Sequence, residues 1–329
     1  MADAPTCKVV LAGGVAKKLL AEVQDGLKHL NRSPLLVGFL ASGDPASRVY
    51  ADWTGKTARE NGFQYELREV DREELEDAII KANGDDSVDG IMVYYPIFGT
   101  RQDQYLQNVV DVGKDVEGLT HKYISNMYRN VRFLDDAQQL KSVLPCTPLA
   151  VIKILEHLQI YNTILPYGNR LHGHTITVIN RSEVVGRPLA ALLANDGAVV
   201  YSKDVDNVQH YHRGEGLRKR RHEVEEKPGW GLEEILPLSD VVISGVPGDK
   251  FKVPVHLLRE GAVCINFSSE KNFAPEVKQK ASIYVPAIGK CTISVLLRNL
   301  LRIVQNKSAN AQVKPASAVE KQGTLEAGS

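Results

Sequence analysis

Long apolar runs are missing from this sequence of 329 residues. Stretches such as LLVGFLA at 35–41 are strand-sized and fall far short of the ~20 residues a membrane span needs. An excess of either charge is missing too. Forty Lys and Arg balance forty Asp and Glu, so no global field draws the protein to nucleic acid or to a membrane surface. The N-terminal region lacks arginine: Arg32 is the first, after Asp3, Glu22 and Asp25, which is not the composition of a mitochondrial transit segment. Cysteine pairs at CxxC spacing are also lacking. Cys7, Cys146, Cys264 and Cys291 stand far apart, so neither a zinc ribbon nor a disulfide framework is expected, and a reducing, cytoplasmic setting is the simplest.

What is there reads as an α/β protein. The length suits two domains, and 43% apolar with 24% charged residues is an ordinary globular composition. PLLVGFLA predicts a strand, followed by a helix over DPASRVYADWTGKTARENG with Asp44 as N-cap, Pro45 in its first turn and Gly62 as its stop. FQYELREV and VDGIMVYYP continue as strands around the helix EELEDAIIKANG. Such alternation implies a mostly parallel sheet covered by helices. Near residue 145 the pattern restarts: LPCTPLAVIKILEHL predicts a long helix with Thr147 as N-cap and Pro148 at N1. The strands TITVI, GAVVYS, DVVISGVP and GAVCINF then form a second βα domain of the dinucleotide-binding type.

Residues 207–238 are too long for a simple connection and read as an insertion. Their RKRR run is offset by Glu223, Glu225 and Glu226, as on a solvated face. The helix TISVLLRNLLRIVQ packs back on the body, and 307–329 is expected to be a disordered tail. The expected division is therefore 1–147, 148–290, a C-terminal helix at 291–306, and the tail.

After TITVI the chain reads NRSEVVGRPLA, a strand-to-helix turn of the kind that aims backbone N–H groups and a helix's positive end at an anion. The expected leading glycine is replaced by Asn180, and asparagine tolerates left-handed backbone angles better than other residues with a Cβ. Gly186 and Pro188 fit the passage into the helix. Asp204 lies 18 residues beyond Gly186, where dinucleotide-binding folds place the carboxylate that holds the adenosine ribose. A 2′-phosphate at ~4 Å from it would be repelled by ~4 kcal/mol at an effective dielectric of about 20. Arg181 would attract the same phosphate, and Asp206 is an alternative to Asp204. The balance favours NAD over NADP. On the Asp44 helix, Tyr50 and Thr54 are four apart and share a face; by itself Tyr50 reads as a packing residue, and Cys146 as a small filler before a turn.

The collinear segments DPASRVYADWTGKTA, DGIMVYYP, GKDVEGL, LPCTPLAV, INRSEVVGRPLAALL, DVVISGVP, EGAVCINF and YVPAIGKCTISVLLRN resemble the methylenetetrahydrofolate dehydrogenase/cyclohydrolase family across ~8–305. The likeness is to its fungal-type, cytosolic, NAD-dependent, monofunctional branch. It implies a folate-binding α/β domain, a Rossmann-type NAD-binding domain, a cleft between them, and a homodimer. The implied reaction oxidises 5,10-methylenetetrahydrofolate to 5,10-methenyltetrahydrofolate and feeds one-carbon exchange and purine synthesis.

By the same resemblance, Tyr50 lines the pterin, Glu117 hydrogen-bonds it, Asp115 is structural and Cys146 is an active-site contact. Arg181, Ser182, Asp204 and Val205 contact the dinucleotide, flanked by Gly245, Val246 and Pro247 and by Asn266, Phe267 and Ser268. No metal is implied. Four departures fall on this site. Thr54 stands where bifunctional members carry the lysine that assists hydrolysis, and its hydroxyl does not titrate near neutrality. Lys56 is turned ~200° around the helix from that position. Tyr94 replaces a glutamine, Glu117 an aspartate, and the loop before the last helix is shortened to VPAIGKCT. The expectation is a dehydrogenase that has lost hydrolysis. The alternatives are a bifunctional enzyme and a folate-binding regulator without turnover.

Overall fold

A computed structural model describes residues 7–213 and 221–313. In chain order the elements are β1 (Lys8–Val9), α1 (Gly13–Leu27), β2 (Leu35–Leu40), α2 (Pro45–Glu60), β3 (Gln64–Glu69), α3 (Leu75–Asn83), β4 (Gly90–Val93), α4 (Arg101–Val109), α5 (His121–Tyr128) and α6 (Cys146–His157). They continue with β5 (Thr175–Ile179), α7 (Gly186–Asn195), β6 (Val199–Lys203), β7 (Val208–His212), β8 (Glu223–Glu226), α8 (Leu232–Ile235), β9 (Val241–Ser244), β10 (Val263–Asn266), α9 (Val277–Lys280), β11 (Ile283–Val285) and α10 (Gly289–Val313). Among the described residues no helix is long and apolar enough to cross a membrane.

The chain forms two compact units, each assembled from separate stretches. One takes Met1–Glu22, Glu117–Arg132 and Leu144–Leu296; the other takes Val23–Val116, Phe133–Val143 and Leu297–Ser329. Helices α1 and α10 each pass from one unit into the other. The smaller unit is built on a parallel three-stranded sheet, β3-β2-β4. Val37, Phe39 and Val93 of its strands pack with Leu75 and Ile79 of α3 and Leu106 of α4.

Helix α2 starts as its sequence dictates. The Asp44 carboxylate accepts from Ala46 N at 3.3 Å and Ser47 N at 2.9 Å, and Pro45 fills the first turn. These bonds satisfy two of the amides that a helix start leaves without partners; the Ser47 hydroxyl first, and then these amides, hold the Asp44 carboxyl below its ordinary pKa. Asn61 caps the other end, and Gly62, at φ +88°, turns the chain back toward β3.

The larger unit carries an eight-stranded sheet in the order β1-β11-β10-β9-β5-β6-β7-β8. Every pair is parallel except β6–β7 and β7–β8. The strand order reverses at β5, with β6 on one side and β9, β10 and β11 on the other. Its central parallel strands are mostly apolar, as burial on both faces requires; Ile176, Val178, Val241, Ile243 and Ile265 are fully enclosed.

Three features depart from the expected layout. The N-terminal segment supplies β1 to the larger sheet through pairing with β11. The stretch 207–238, read as an insertion, contributes to the sheet itself: β7 and β8 extend it, and α8 leads back to β9. Most of the RKRR run lies outside the described residues. Finally, α10 continues to Val313, seven residues into the expected tail. Ala309, Ala311 and Gln312 favour helix, and no proline intervenes before Pro315. The remainder of that tail lies outside the described residues.

Candidate active site

In the smaller unit, Tyr50, Thr54, Tyr65 and Tyr94 converge. Strand β2 brings Gly38 beneath Tyr65, and α2 brings Gly55 against the same ring. A Cβ on Gly38 would lie 2.7 Å from the Tyr65 hydroxyl, and one on Gly55 would lie 2.6 Å from the ring. These two glycines therefore admit Tyr65 between helix and strand. Its hydroxyl lies 2.9 Å from that of Tyr94. Thr54 Oγ1 donates to the Tyr50 carbonyl at 2.8 Å. Tyr50 meets the Tyr94 ring edge-on, with centroids 6.1 Å apart.

Thr54 is 0% exposed and Tyr94 3%. Burial, and after it the neighbouring Tyr65 hydroxyl, pushes the Tyr94 phenol far above its ordinary value. Burial likewise raises Tyr65. The Tyr65 and Tyr94 hydroxyls thus stay protonated across the neutral range and exchange no proton there. Asp115, buried beside Ile91, belongs to the same unit, whereas Glu117 and Cys146 belong to the larger one. Cys146 opens α6, one residue before the expected N-cap, with Pro145 in the capping position.

In the larger unit, sheet register decides which residues meet. Ile179 is paired with Lys203 on one side and with Ser244 on the other, and Ser244 is paired with Asn266. The residues that follow, Asn180, Asp204, Gly245 and Phe267, therefore leave the sheet side by side where the strand order reverses. Open α/β sheets bind ligands at this place.

The turn after β5 shows how it dispenses with a leading glycine. Asn180 adopts φ +89°. Its carboxamide accepts from Ser182 N at 3.0 Å and donates to the Gly245 carbonyl at 2.6 Å. One side chain thus braces the turn and ties it to the loop after β9. Gly186 is needed for close approach, since a Cβ there would lie 1.7 Å from the Asn180 carbonyl oxygen. Ser182 caps α7 from within: its hydroxyl accepts from Gly186 N at 3.3 Å and its carbonyl from Arg187 N at 3.0 Å. Pro188 has no N–H, so the start of this helix attracts an anion through its dipole more than through unused amides.

Arg181 points inward and is 8% exposed. Its guanidinium donates to Ser202 Oγ at 3.1 Å, the Ser202 carbonyl at 2.5 Å and Asn207 Oδ1 at 2.8 Å. Those bonds brace the end of β6 against the turn into β7. Asp204 lies on that turn, half-buried, with Oδ1 accepting from Val205 N at 3.0 Å; Val205 itself is exposed. Asp206 and Asn207 line an adjoining groove of about 890 Å³ with Trp230, Pro254 and Leu257. That volume and that mix of apolar walls with a few polar groups suit part of a nucleotide.

Asn266 is buried and committed to Ser268, Glu270 and Pro286 carbonyls, while Ser268 Oγ donates to the Val246 carbonyl. Asn272 completes this scaffold. Its side chain accepts from Ser244 Oγ and Val246 N and donates to the Val246 carbonyl, fixing the Gly245–Pro247 loop against Phe267. Asn272 and Tyr65 are the two contributors that the sequence patterns did not single out.

A doubly wound parallel sheet with an acidic residue at the neighbouring strand end, on a chain that also carries a separate α/β unit, defines the class: a two-unit α/β protein with a dinucleotide-binding fold. The comparisons narrow it. Residues 10–117 match the catalytic domain of the tetrahydrofolate dehydrogenase/cyclohydrolase family, and residues 145–213 match its NAD(P)-binding domain. The chain belongs to that family. It is 58% identical over 299 residues to a Schizosaccharomyces pombe protein named methylenetetrahydrofolate dehydrogenase [NAD(+)], covering 91% of this chain and 93% of that one. A Saccharomyces cerevisiae protein of the same name is 57% identical over 309 residues, 91% and 96% of the two chains. The solved structure of an NAD-dependent 5,10-methylenetetrahydrofolate dehydrogenase from Saccharomyces cerevisiae superposes with a TM-score of 0.88. It is 55% identical, with 93% of this chain and 99% of that chain covered.

Proposed function

We propose that this protein is an NAD-dependent methylenetetrahydrofolate dehydrogenase that oxidises 5,10-methylenetetrahydrofolate to the 5,10-methenyl form and does not hydrolyse the product. Identity above half with two enzymes named for that NAD-dependent reaction supports the first part. The observation that carries the second is Thr54: 0% exposed and donating to the Tyr50 carbonyl, in a cluster where burial raises the Tyr65 and Tyr94 phenols above their ordinary value.

The residues present fit NAD. Asp204, at the strand end, takes the adenosine ribose hydroxyls and disfavours a 2′-phosphate. The groove beside Asp206 and Asn207 takes the adenine end. Gly245, Val246, Pro247, Phe267 and Ser268 flank the nicotinamide half, and Arg181, Ser182 and Asn266 hold their loops in place. When bound, NAD+ supplies the hydride acceptor.

On the folate side, Tyr50 and Tyr94 pack against the pterin and orient the methylene carbon. Asp115 is structural, Glu117 hydrogen-bonds the ring, and Cys146 is a contact, not a nucleophile. The lone pair of the adjacent folate nitrogen expels hydride and leaves a delocalised cation, so no general base is required. The demand on the protein is positional: donor and acceptor carbons ~3–3.5 Å apart with water excluded. Hydrolysis needs an activated water, for which the tyrosine cluster offers no base.

In this reading the folate-binding half is 1–147 and the NAD-binding half 148–290. The protein works in the cytoplasm as a homodimer, serving one-carbon exchange and purine synthesis. Initial rates with NAD and NADP, read with the absorbance of the methenyl product, test the proposal. NAD should be strongly preferred, and methenyltetrahydrofolate should disappear no faster than in buffer. Reduction of NADP alone, or enzyme-dependent clearance of the methenyl product, would overturn it.

A further inference from the structure

The β7–β8 hairpin gathers three groups that the site above does not use. His210 and His212 stand two apart on β7, so their side chains share one face of the strand. Glu225 on β8 is the register partner of His210. His212 Nε2 lies 3.1 Å from Glu225 Oε1, and His210 Nδ1 lies 3.8 Å from Glu225 Oε2. One ligand atom from each of the three falls within 4.8 Å of the others.

The two imidazoles are stacked with centroids 4.4 Å apart. Tyr201 stacks on His210 at 5.2 Å and is itself backed by Trp230. Both ring nitrogens of His210 are buried without a hydrogen-bond partner, the 3.8 Å approach to Glu225 being too long to count as one.

We propose that His210, His212 and Glu225 form a binding site for a divalent transition-metal ion of the Zn2+ class, with a fourth position left to water. Imidazole nitrogens select such ions over Mg2+ and Ca2+. Tetrahedral coordination at bonds of ~2.0–2.1 Å asks the widest pair to close in, and Glu225, 53% exposed, is the side chain placed to swing. Lys227 Nζ lies 3.6 Å from Glu225 Oε2. That ammonium is the cation an incoming metal must displace, so the site carries its own competitor.

Untagged full-length protein, stripped with EDTA and dialysed, would be titrated with Zn2+ by calorimetry and with Co2+ by visible absorption. The expected result is one tight Zn2+ per chain and four-coordinate Co2+ bands, both lost in the His210→Ala/His212→Ala variant. Glu225→Gln should weaken binding. Lys227→Gln should tighten it by about tenfold, since it removes a unit charge ~4 Å from the carboxylate. This gain cannot arise from misfolding, so it keeps the test decisive if the histidine variant fails to fold. Absence of wild-type binding at about 100 µM Zn2+, a stoichiometry unchanged in the double variant, or no tightening in Lys227→Gln would each overturn the proposal.

Discussion

A lysine placed at residue 54 is not expected, on this structure, to confer hydrolysis by itself. Thr54 is completely enclosed, and its hydroxyl serves the Tyr50 carbonyl. Thr54→Lys deletes a hydrogen bond worth ~1 kcal/mol. It also drives a longer side chain into close packing at a cost of about 1–3 kcal/mol. The ammonium would enter among phenol hydroxyls that remain protonated. A buried ammonium with no carboxylate either destabilises the fold or loses its proton, with a pKa fall of up to ~3–5 units. Together these effects give roughly 3 kcal/mol or more, a fall in Tm on the order of 4 °C or more for a chain of this size.

Combining it with Tyr94→Gln removes the ring that fills the space and restores a polar neighbour, so the double variant should recover part of the stability. Only the double variant is expected to clear methenyltetrahydrofolate faster than buffer. Differential scanning fluorimetry and the methenyl absorbance read the two effects separately. A single Thr54→Lys protein with wild-type Tm and measurable cyclohydrolase activity would refute the reasoning.

Asp204→Ser should cost a charged hydrogen bond to the ribose, ~1.5–3 kcal/mol. With the repulsion removed as well, the kcat/KM ratio of NAD to NADP falls at least about tenfold; an unchanged ratio removes Asp204 from the site. Gly186→Ala sets a methyl carbon against backbone rather than a flexible side chain. It should raise the KM for NAD sharply and lower stability by over ~1–3 kcal/mol, whereas unaltered NAD kinetics would show that the turn relaxes freely. His222, 9% exposed, has a pKa lowered from 6.5 to about 4 by burial, with Arg221 adding to it. The unfolded chain therefore binds the extra proton between ~pH 6.5 and ~pH 4, and this contribution to stability is full above that window and lost as pH falls through it. Between pH 7 and pH 5 it amounts to at most ~2 kcal/mol; denaturant unfolding of His222→Phe should show that much less pH dependence than wild type, and equal dependence would refute the assignment.

How far the sequence could be read depended on the length of the signal. Strands β2, β5, β9 and β10 are apolar runs between turn residues, and α2 announces its start with Asp44 and Pro45; both kinds of signal are local. Strand β1 has two residues and β11 three, too few for any period to show. Strand β8 is EVEE, exposed throughout, so it shows no buried face to betray it. The capacity of Asn180 for a left-handed turn was legible from its type. The inward turn of Arg181 was not, because Ser202 and Asn207 lie 21 and 26 residues away in sequence. Tyr65 escaped notice for the same reason: its place is made by Gly38 and Gly55, on two different elements. The cross-strand meeting of His210, His212 and Glu225 likewise needed the hairpin register.

The division of α10 between the two units bears on how the protein is made. Asn299 Nδ2 donates to the Val116 carbonyl at 2.9 Å, and Leu300 is wholly enclosed; both belong to the unit whose sheet is encoded before residue 94. A ribosome therefore emits the three strands of that sheet long before the helix that closes over them. Until α10 emerges, the nascent smaller unit exposes the apolar surface which Leu300 later covers, and a fragment ending at 147 would never cover it. Chaperone dependence during synthesis, and insolubility of that fragment, follow from where the chain places its final helix.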